Sequence, residues 1–568
     1  MWCSYWNIIV PTKSPAEVMA EQWLVVLPMG SDFYARLDCI RFHRWWLLLA
    51  CCLVQFCAGS VYAFTMVADS LDVYFYGTSG ANKQSSRVLL LAYIFLGVVS
   101  AICGPFVERN GPRPAMALGT LLVFLGYVIS QFSITYKVYF LLLVGFGILL
   151  GSGYGLVLIV SISTVQKWFP DIRGYASGLC ILFFAIGNGA FITVSSKLLG
   201  QSVGALRTII TGNGVEDLFW VLGTFVVVVL LFCTLVLRTP PVTYAVNGKD
   251  IHGVPMHLAP NPDHVQDEYL NVGMTFVNYD VIQREMDGTD GFYFQQVKAM
   301  TLLQCLASTD FICLYVAFAA NIVPILVFLP QIRQIAIIII GLRNQTQVYH
   351  FFLYTYIGNL GGRFISPVLS DLIIRIFYAN PAFARKIVFV ALLILQCVVL
   401  VLLPSYMHNP QVFQYLAATL TSASGGGLAL MPCFITDMFG VYNTGTMYGI
   451  IWTSWSLGAV ISGALLSNFA FTVQGVTDQL HWMLILVCVG TGLMFFVRTN
   501  SMDRFFDGYQ ITACGKPLVQ VSFHNLTRDT IEDDDDDQAS IATPTTIPKD
   551  GFVLWNHQVD GKVYDLGV

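Results

Sequence analysis

Runs of about twenty apolar residues, separated by short polar connections, recur along the whole chain, and a run of that length crosses the hydrocarbon core of a bilayer as a helix. Twelve runs predict helices over 45–67, 88–107, 115–134, 138–164, 174–199 and 218–237, then over 304–330, 347–370, 385–404, 411–436, 444–467 and 480–498. A polar stretch carrying Pro240, Pro241, Pro255, Pro260 and Pro262 lies between the two sets and reads as a loop. The chain therefore divides into a segment 1–44, a six-helix half 45–237, a central loop 238–303, a second six-helix half 304–498 and a hydrophilic tail 499–568. The expected fold class is an all-α polytopic membrane protein of twelve transmembrane helices in two halves. Pro324 and Pro330 interrupt the seventh run and an apolar stretch, 335–340, follows it, so an interfacial extension is expected there.

Composition agrees. The 568 residues are 56% apolar and only 11% charged, a balance no soluble domain of this size shows. The net charge of -5 comes from the six consecutive acids at 532–537, which predict a solvated, disordered tail, with an interaction role as the alternative. The 14 cysteines are scattered and form no C-x-x-C pair, so they read as packing residues, and no metal site is expected. The first residues have neither a signal-peptide nor a transit-peptide pattern, and no cleaved leader is expected. Lys and Arg accumulate on the side that holds Arg36, Arg41, Arg44, Arg173 and Arg385, which predicts cytoplasmic termini and a cytoplasmic central loop.

The residue that needs most explanation is Arg363, in the middle of the stretch YIGNLGGRFISPVLSD (356–371). A charge at that depth is costly unless it faces a bundle interior or a water-filled cavity. A guanidinium stays charged and matches a carboxylate with two hydrogen bonds, so an anion site is one use for it. The alternative is a brace to a helix-end carboxylate such as Asp371. Helical spacing puts Asn359 and Tyr356 on the face of Arg363. Tyr448, Trp452 and Trp455 form a stripe on the eleventh helix, and Gln55 and Tyr62 face inward from the first. These are candidate cavity residues, with plain packing as the other reading.

Two stretches look alike at equivalent places in the halves: GPFVERNGPRP (104–114), with Glu108, Arg109 and Arg113, and GRFISPVLSD (362–371), which ends in Asp371. Internal repetition of this kind marks transporter folds. Charges at helix ends can hold one helix against another and let go as halves rock, although ordinary basic loops would also account for the charges. Asp171 and Arg173, in QKWFPDIRGYASG (166–178), belong with this set. Asp310, early in the seventh helix, is a candidate proton carrier, with hydration near the boundary as the alternative. Asn344, in Asn-Gln-Thr on the predicted outer side, is a candidate glycosylation site.

The stretches WFPDIRGYASG and SGGGLALMPCFITDMFGVYNTGTMYGIIWTSWSLGAV (424–460) resemble the oxalate/formate antiporter branch of the major facilitator superfamily and, more broadly, the monocarboxylate transporters. The resemblance spans most of 45–498. It implies two six-helix halves around a central site that moves small carboxylates by alternating access. In such relatives a helix-8 arginine within a G-R pair contacts the carboxylate, and Arg363 holds that place here. Monocarboxylate carriers commonly have an aspartate four residues earlier, where this chain has Asn359. Oxalate-handling members have a lysine on helix 11 where this chain has Trp455. One cation instead of two implies a monoanion, pyruvate or lactate, carried by proton symport or exchange.

The other readings are an oxalate/formate-type dicarboxylate exchanger and a carrier-like nutrient receptor that signals through its tail. An enzyme is not expected: there is no nucleophile with a base, no metal-ligand spacing, and the glycines of helix 4 lack the strand a nucleotide site needs. The expected partners are a small carboxylate, protons in the symport case, and membrane lipid, with no cofactor and no nucleic acid; an accessory subunit is left open. The plasma membrane is the favoured address, with mitochondrial and vacuolar membranes as alternatives.

Overall fold

In the computed structural model the described residues are 5–6, 13–28, 34–77, 84–200, 214–241, 244–247, 249–253, 291–342, 344–468, 472–506, 508–513, 516–522, 557–559 and 562–564. Twelve long helices form the body. The first half contains α1 (Arg44–Ala58, continued past Gly59 by Ser60–Tyr76), α2 (Gln84–Asn110), α3 (Pro112–Tyr136), α4 (Tyr139–Trp168), α5 (Arg173–Leu198) and α6 (Leu218–Val236). The second contains α7 (Thr309–Gln334), α8 (Gln345–Phe377), α9 (Pro381–Ser405), α10 (Pro410–Phe439), α11 (Thr444–Asn468) and α12 (Val473–Phe495). By length and composition, ten spans among the described residues can cross a membrane. The halves meet along α2 and α11 and along α5 and α8.

Local chemistry sets the helix starts. Asn380 and Asn409 each precede a proline, and their side chains accept from Ala382 N at 2.9 Å and Val412 N at 3.4 Å, satisfying first-turn amides at the N-termini of α9 and α10. Inside the first half, α1 and α5 cross where both are thinnest: a Cβ on Gly187 would overlap Phe56 O, and one on Gly59 would overlap Phe184 O. Close approach of this kind is what holds helices together where no hydrophobic effect separates them from lipid.

Several boundaries differ from expectation. Helix α1 runs to Tyr76 instead of stopping near 67, because Asp72, polar in the sequence, is buried and accepts from Ser85 N at 2.9 Å at the start of α2. Helix α7 begins at Thr309, capped by Ser308, after a separate turn Leu302–Ala307. It continues through Pro324 to Gln334, and Ile335–Ile339 extends it as a π-helical turn where an interfacial stretch was expected.

Among the described residues, parts of the polar segments also form regular structure. Pro15–Ala20 is a short helix, and β1 (Trp23–Pro28) pairs antiparallel with β2 (Tyr34–Arg41) as the two arms of a hairpin. Arg238, just past α6, donates to Glu21 O (2.6 Å), Trp23 O (2.8 Å) and Leu24 O (2.5 Å) and lies over the Phe42 ring. Arg113 adds an ion pair to Glu21 at 3.2 Å. The central stretch contributes a short antiparallel pairing of Ala245–Val246 with Lys249–Asp250, followed by 251–253, and the helix Gly291–Ala299; 248 and 254–290 lie outside the described residues. In the tail, Gly508–Ala513 pairs with Lys516–Ser522, and the acidic block at 532–537 lies outside the described residues.

Candidate functional site

Arg363 sits midway along α8 and is buried, 5% exposed. Its Nε donates to Asn359 Oδ1 at 2.9 Å, one turn earlier, and its Nη1 donates to Ile181 O of α5 at 3.2 Å. Asn359 is itself fixed by donation to Thr421 O at 3.0 Å. Among the described residues no carboxylate is paired with Arg363. The brace to Asp371 is absent, since Asp371 faces Arg385 two turns further on.

An aromatic cluster begins at the guanidinium. Arg363 Cζ lies 5.6 Å from the Phe184 ring centre. Tyr62 packs against Tyr93 (5.2 Å), Phe184 (5.3 Å) and Trp455 (5.7 Å), and Trp452 lies 5.5 Å from Trp455 and 5.9 Å from Tyr448. The predicted stripe and Tyr62 are therefore brought to one place. The Tyr62 hydroxyl and the Trp455 indole N–H are buried and have no hydrogen-bond partner among the described residues. The Tyr448 hydroxyl and Trp452 N–H face each other without a well-formed bond. Buried donors without acceptors are costly, and an anion that accepts from them removes the cost. Tyr356 is turned away, its hydroxyl donating to Ala185 O of α5 at 2.5 Å across the seam. Gln55 donates to Ser161 Oγ at 2.8 Å within the first half, its oxygen left unpartnered.

A second constellation closes the end of the bundle that carries the amino-terminal hairpin. Asp371 of α8 accepts from Gly174 N (3.2 Å) and Tyr175 N (2.7 Å), the first amides of α5, so a carboxylate of one half caps a helix of the other. Glu108 of α2 does the same for α11, accepting from Gly445 N at 2.9 Å while paired with Lys167. Arg173 of α5 donates to Asp437 of α10 at 2.7 Å, and Arg385 of α9 bridges Asp437 (3.1 Å) and Asp371 (2.6 Å). Asp171 accepts from Nη1 and Nη2 of Arg44, at 2.8 and 3.2 Å. Arg113 holds the amino-terminal segment instead, and Arg109 is half-exposed and stands apart from these pairs.

The connecting turn reinforces the closure. Ile251 O accepts from Arg173 Nη2 at 2.8 Å, and the buried His252 ring packs on Tyr442 of the second half at 5.1 Å. Burial, with Lys298 and Arg173 nearby, lowers the His252 pKa well below the ordinary histidine value. Asp437 and the 251–253 turn were not singled out from the sequence, and Lys167 and Arg385 counted there only as charges that set orientation. The repeated loop motif pointed to Glu108 and Asp371 but not to their partners, which lie on other helices.

Two remaining expectations land elsewhere. Asp310, in the first turn of α7, is buried and accepts from Arg498 N (2.7 Å), Nε (3.3 Å) and Nη2 (2.9 Å). Held by an arginine, it is occupied as an ion-pair partner. Asn344 is exposed and caps α8, its Oδ1 accepting from Thr346 N at 3.0 Å.

Residues 45–463 match the family model of the Major Facilitator Superfamily. The chain is 22% identical over 456 residues to the oxalate:formate antiporter of Oxalobacter formigenes, covering 78% of this chain and 90% of that protein. It is 22% identical over 423 residues to an uncharacterised MFS-type transporter, YhjX, of Escherichia coli, covering 73% and 86%. Monocarboxylate transporter 13 of Rattus norvegicus is 28% identical over 139 residues, 24% of this chain and 32% of that one. Among solved structures, the outward conformation of the transporter FucP aligns with a TM-score of 0.52 at 14% identity, covering 80% of this chain and 99% of that one.

Proposed function

The chain belongs to the major facilitator superfamily, and on that footing we propose that it carries small monocarboxylates, pyruvate or lactate foremost, across a membrane by exchange. The observation that supports this most is Arg363: a buried guanidinium without a counter-ion among the described residues, next to an aromatic cluster with spare donors. A carboxylate supplies the missing charge through two hydrogen bonds. The rings touch one another at 5.2–5.9 Å, which favours a small substrate, and Trp455 in place of a second cation favours one negative charge.

Charge also separates exchange from symport. If the empty carrier occludes Arg363 unneutralised, it meets a desolvation cost of several kcal/mol that the loaded carrier avoids. Asn359 cannot take up a proton to change that, and Asp310 is held by Arg498. Return is then faster when loaded. Both termini are assigned to the cytoplasm by the Lys and Arg excess, so the ionic ring described above is the cytoplasmic closure.

The test is uptake of labelled pyruvate into vesicles containing the purified protein. Uptake that requires a carboxylate trapped inside is the expected result. Uptake driven by an inward proton gradient into otherwise empty vesicles would overturn exchange in favour of symport. No uptake from folded protein under either condition would remove the monocarboxylate assignment and direct the search to other anions.

A further inference from the structure

Two hollows meet on the flank of the closed end, where α5 of one half crosses α8 of the other. The larger is a mostly apolar groove of about 260 Å³, walled by Trp45, Ile172 and Tyr175 from the first half and by Val368 and Leu372 from the second. The smaller is a polar pocket of about 70 Å³ reached by Asp171, Lys249 and Arg375. Asp371 and Arg375 line both, so the two form one continuous amphipathic recess. Trp45 and Leu372 are 44% and 46% exposed, which opens the groove to whatever surrounds the helices.

Most charges in the recess are already matched. Asp371 serves Arg385 and the α5 amides, Asp171 serves Arg44, and Arg173 and Arg385 share Asp437. Arg375, exposed near the end of α8, makes no ion pair or hydrogen bond among the described residues. The recess therefore offers an apolar slot and one free guanidinium, at a helix end beside the exposed Trp45.

We propose that this recess binds an anionic phospholipid of the surrounding leaflet, with its phosphate on Arg375 and an acyl chain along Trp45, Tyr175, Val368 and Leu372. Arginine meets phosphate with two parallel hydrogen bonds, and basic pockets between membrane helices take such headgroups. The bilayer supplies the chain that fills the groove. Because its walls come from both halves, the lipid spans the same seam that Asp371 closes through Gly174 and Tyr175, and it holds that end shut. The lipid site rests on the membrane fold and stands apart from the identity of the transported carboxylate.

Native mass spectrometry of the full-length protein, purified in equal phosphatidylcholine and phosphatidylglycerol, reads the site directly. The expected result is selective retention of phosphatidylglycerol. Arg375→Gln should reduce that retention about fivefold. Leu372→Trp, which keeps the guanidinium but fills the groove, should reduce it likewise, and it also decides the question if Arg375→Gln fails to fold. Hydrogen exchange at Gly174 and Tyr175 should slow when phosphatidylglycerol is added. Equal retention of both lipids, or unchanged retention in the variants, overturns the proposal. Displacement by inorganic phosphate alone would show a free-anion pocket and overturn it as well.

Discussion

Replacing Asp371 with asparagine tests whether the two halves are held shut by a carboxylate that caps a helix across the seam. Asp371 accepts from Gly174 N at 3.2 Å, Tyr175 N at 2.7 Å and Arg385 Nη2 at 2.6 Å. Hydrogen bonds to a charged group contribute about 1.5–3 kcal/mol each, and a charge at a helix N-terminus up to ~2 kcal/mol more when partly buried. Asparagine keeps one acceptor for one amide but turns a donor toward Arg385. A net loss of about 3 kcal/mol follows, on the order of 150-fold in the balance between closed and open. First-turn amides of a helix have no intrahelical acceptor, so protection of Gly174 and Tyr175 reports this contact specifically. Hydrogen exchange at those two amides should speed up on the order of a hundredfold in the variant, while Val157 and Ile159 in the buried middle of α4 keep their protection. Unchanged exchange at Gly174 and Tyr175 would refute the idea that Asp371 closes this end.

Four further outcomes are expected. Arg363→Lys replaces a two-pronged donor by a point charge and should lower pyruvate exchange about tenfold or more, with little change in unfolding temperature. Asn359→Asp places a carboxylate beside Arg363 and neutralises it without substrate, so uptake into vesicles lacking internal carboxylate should rise. Gly187→Val forces a side chain into Phe56 O and should lower stability by about 1–3 kcal/mol in thermal unfolding. His252 is held neutral in the folded protein, while the unfolded chain protonates it below about pH 6.5. Stability should therefore fall as the pH drops below that value, by up to about 1.4 kcal/mol per unit until the folded pKa is reached, and His252→Gln should flatten the slope.

The twelve helices were legible because each carries its own apolar run, and membrane burial needs no knowledge of neighbours. Arg363 was legible for the converse reason: a cation in such a run has few innocent explanations. Boundaries were read less well wherever a polar residue finds a partner on another helix, as Asp72 does at Ser85 N. The same limit hid the ionic closure. Arg385 reads from the sequence as one more basic residue at a helix end, yet it is 2% exposed and joins two acids that lie 66 positions apart, Asp371 and Asp437. Asp310 shows the same limit from the other side, since its place in a helix suggested a proton site, and only the fold reveals Arg498 beside it.

The amino-terminal hairpin carries a consequence for how the protein is made. Its docking depends on Arg238, which satisfies three carbonyls between Glu21 and Leu24, and Trp168 in turn donates to Arg238 O at 2.7 Å. Arg238 leaves the ribosome only after the six helices of the first half have been synthesised. Residues 21–24 are made long before Arg238 and must therefore wait, undocked, until the whole half has been synthesised, so that their capture marks its completion.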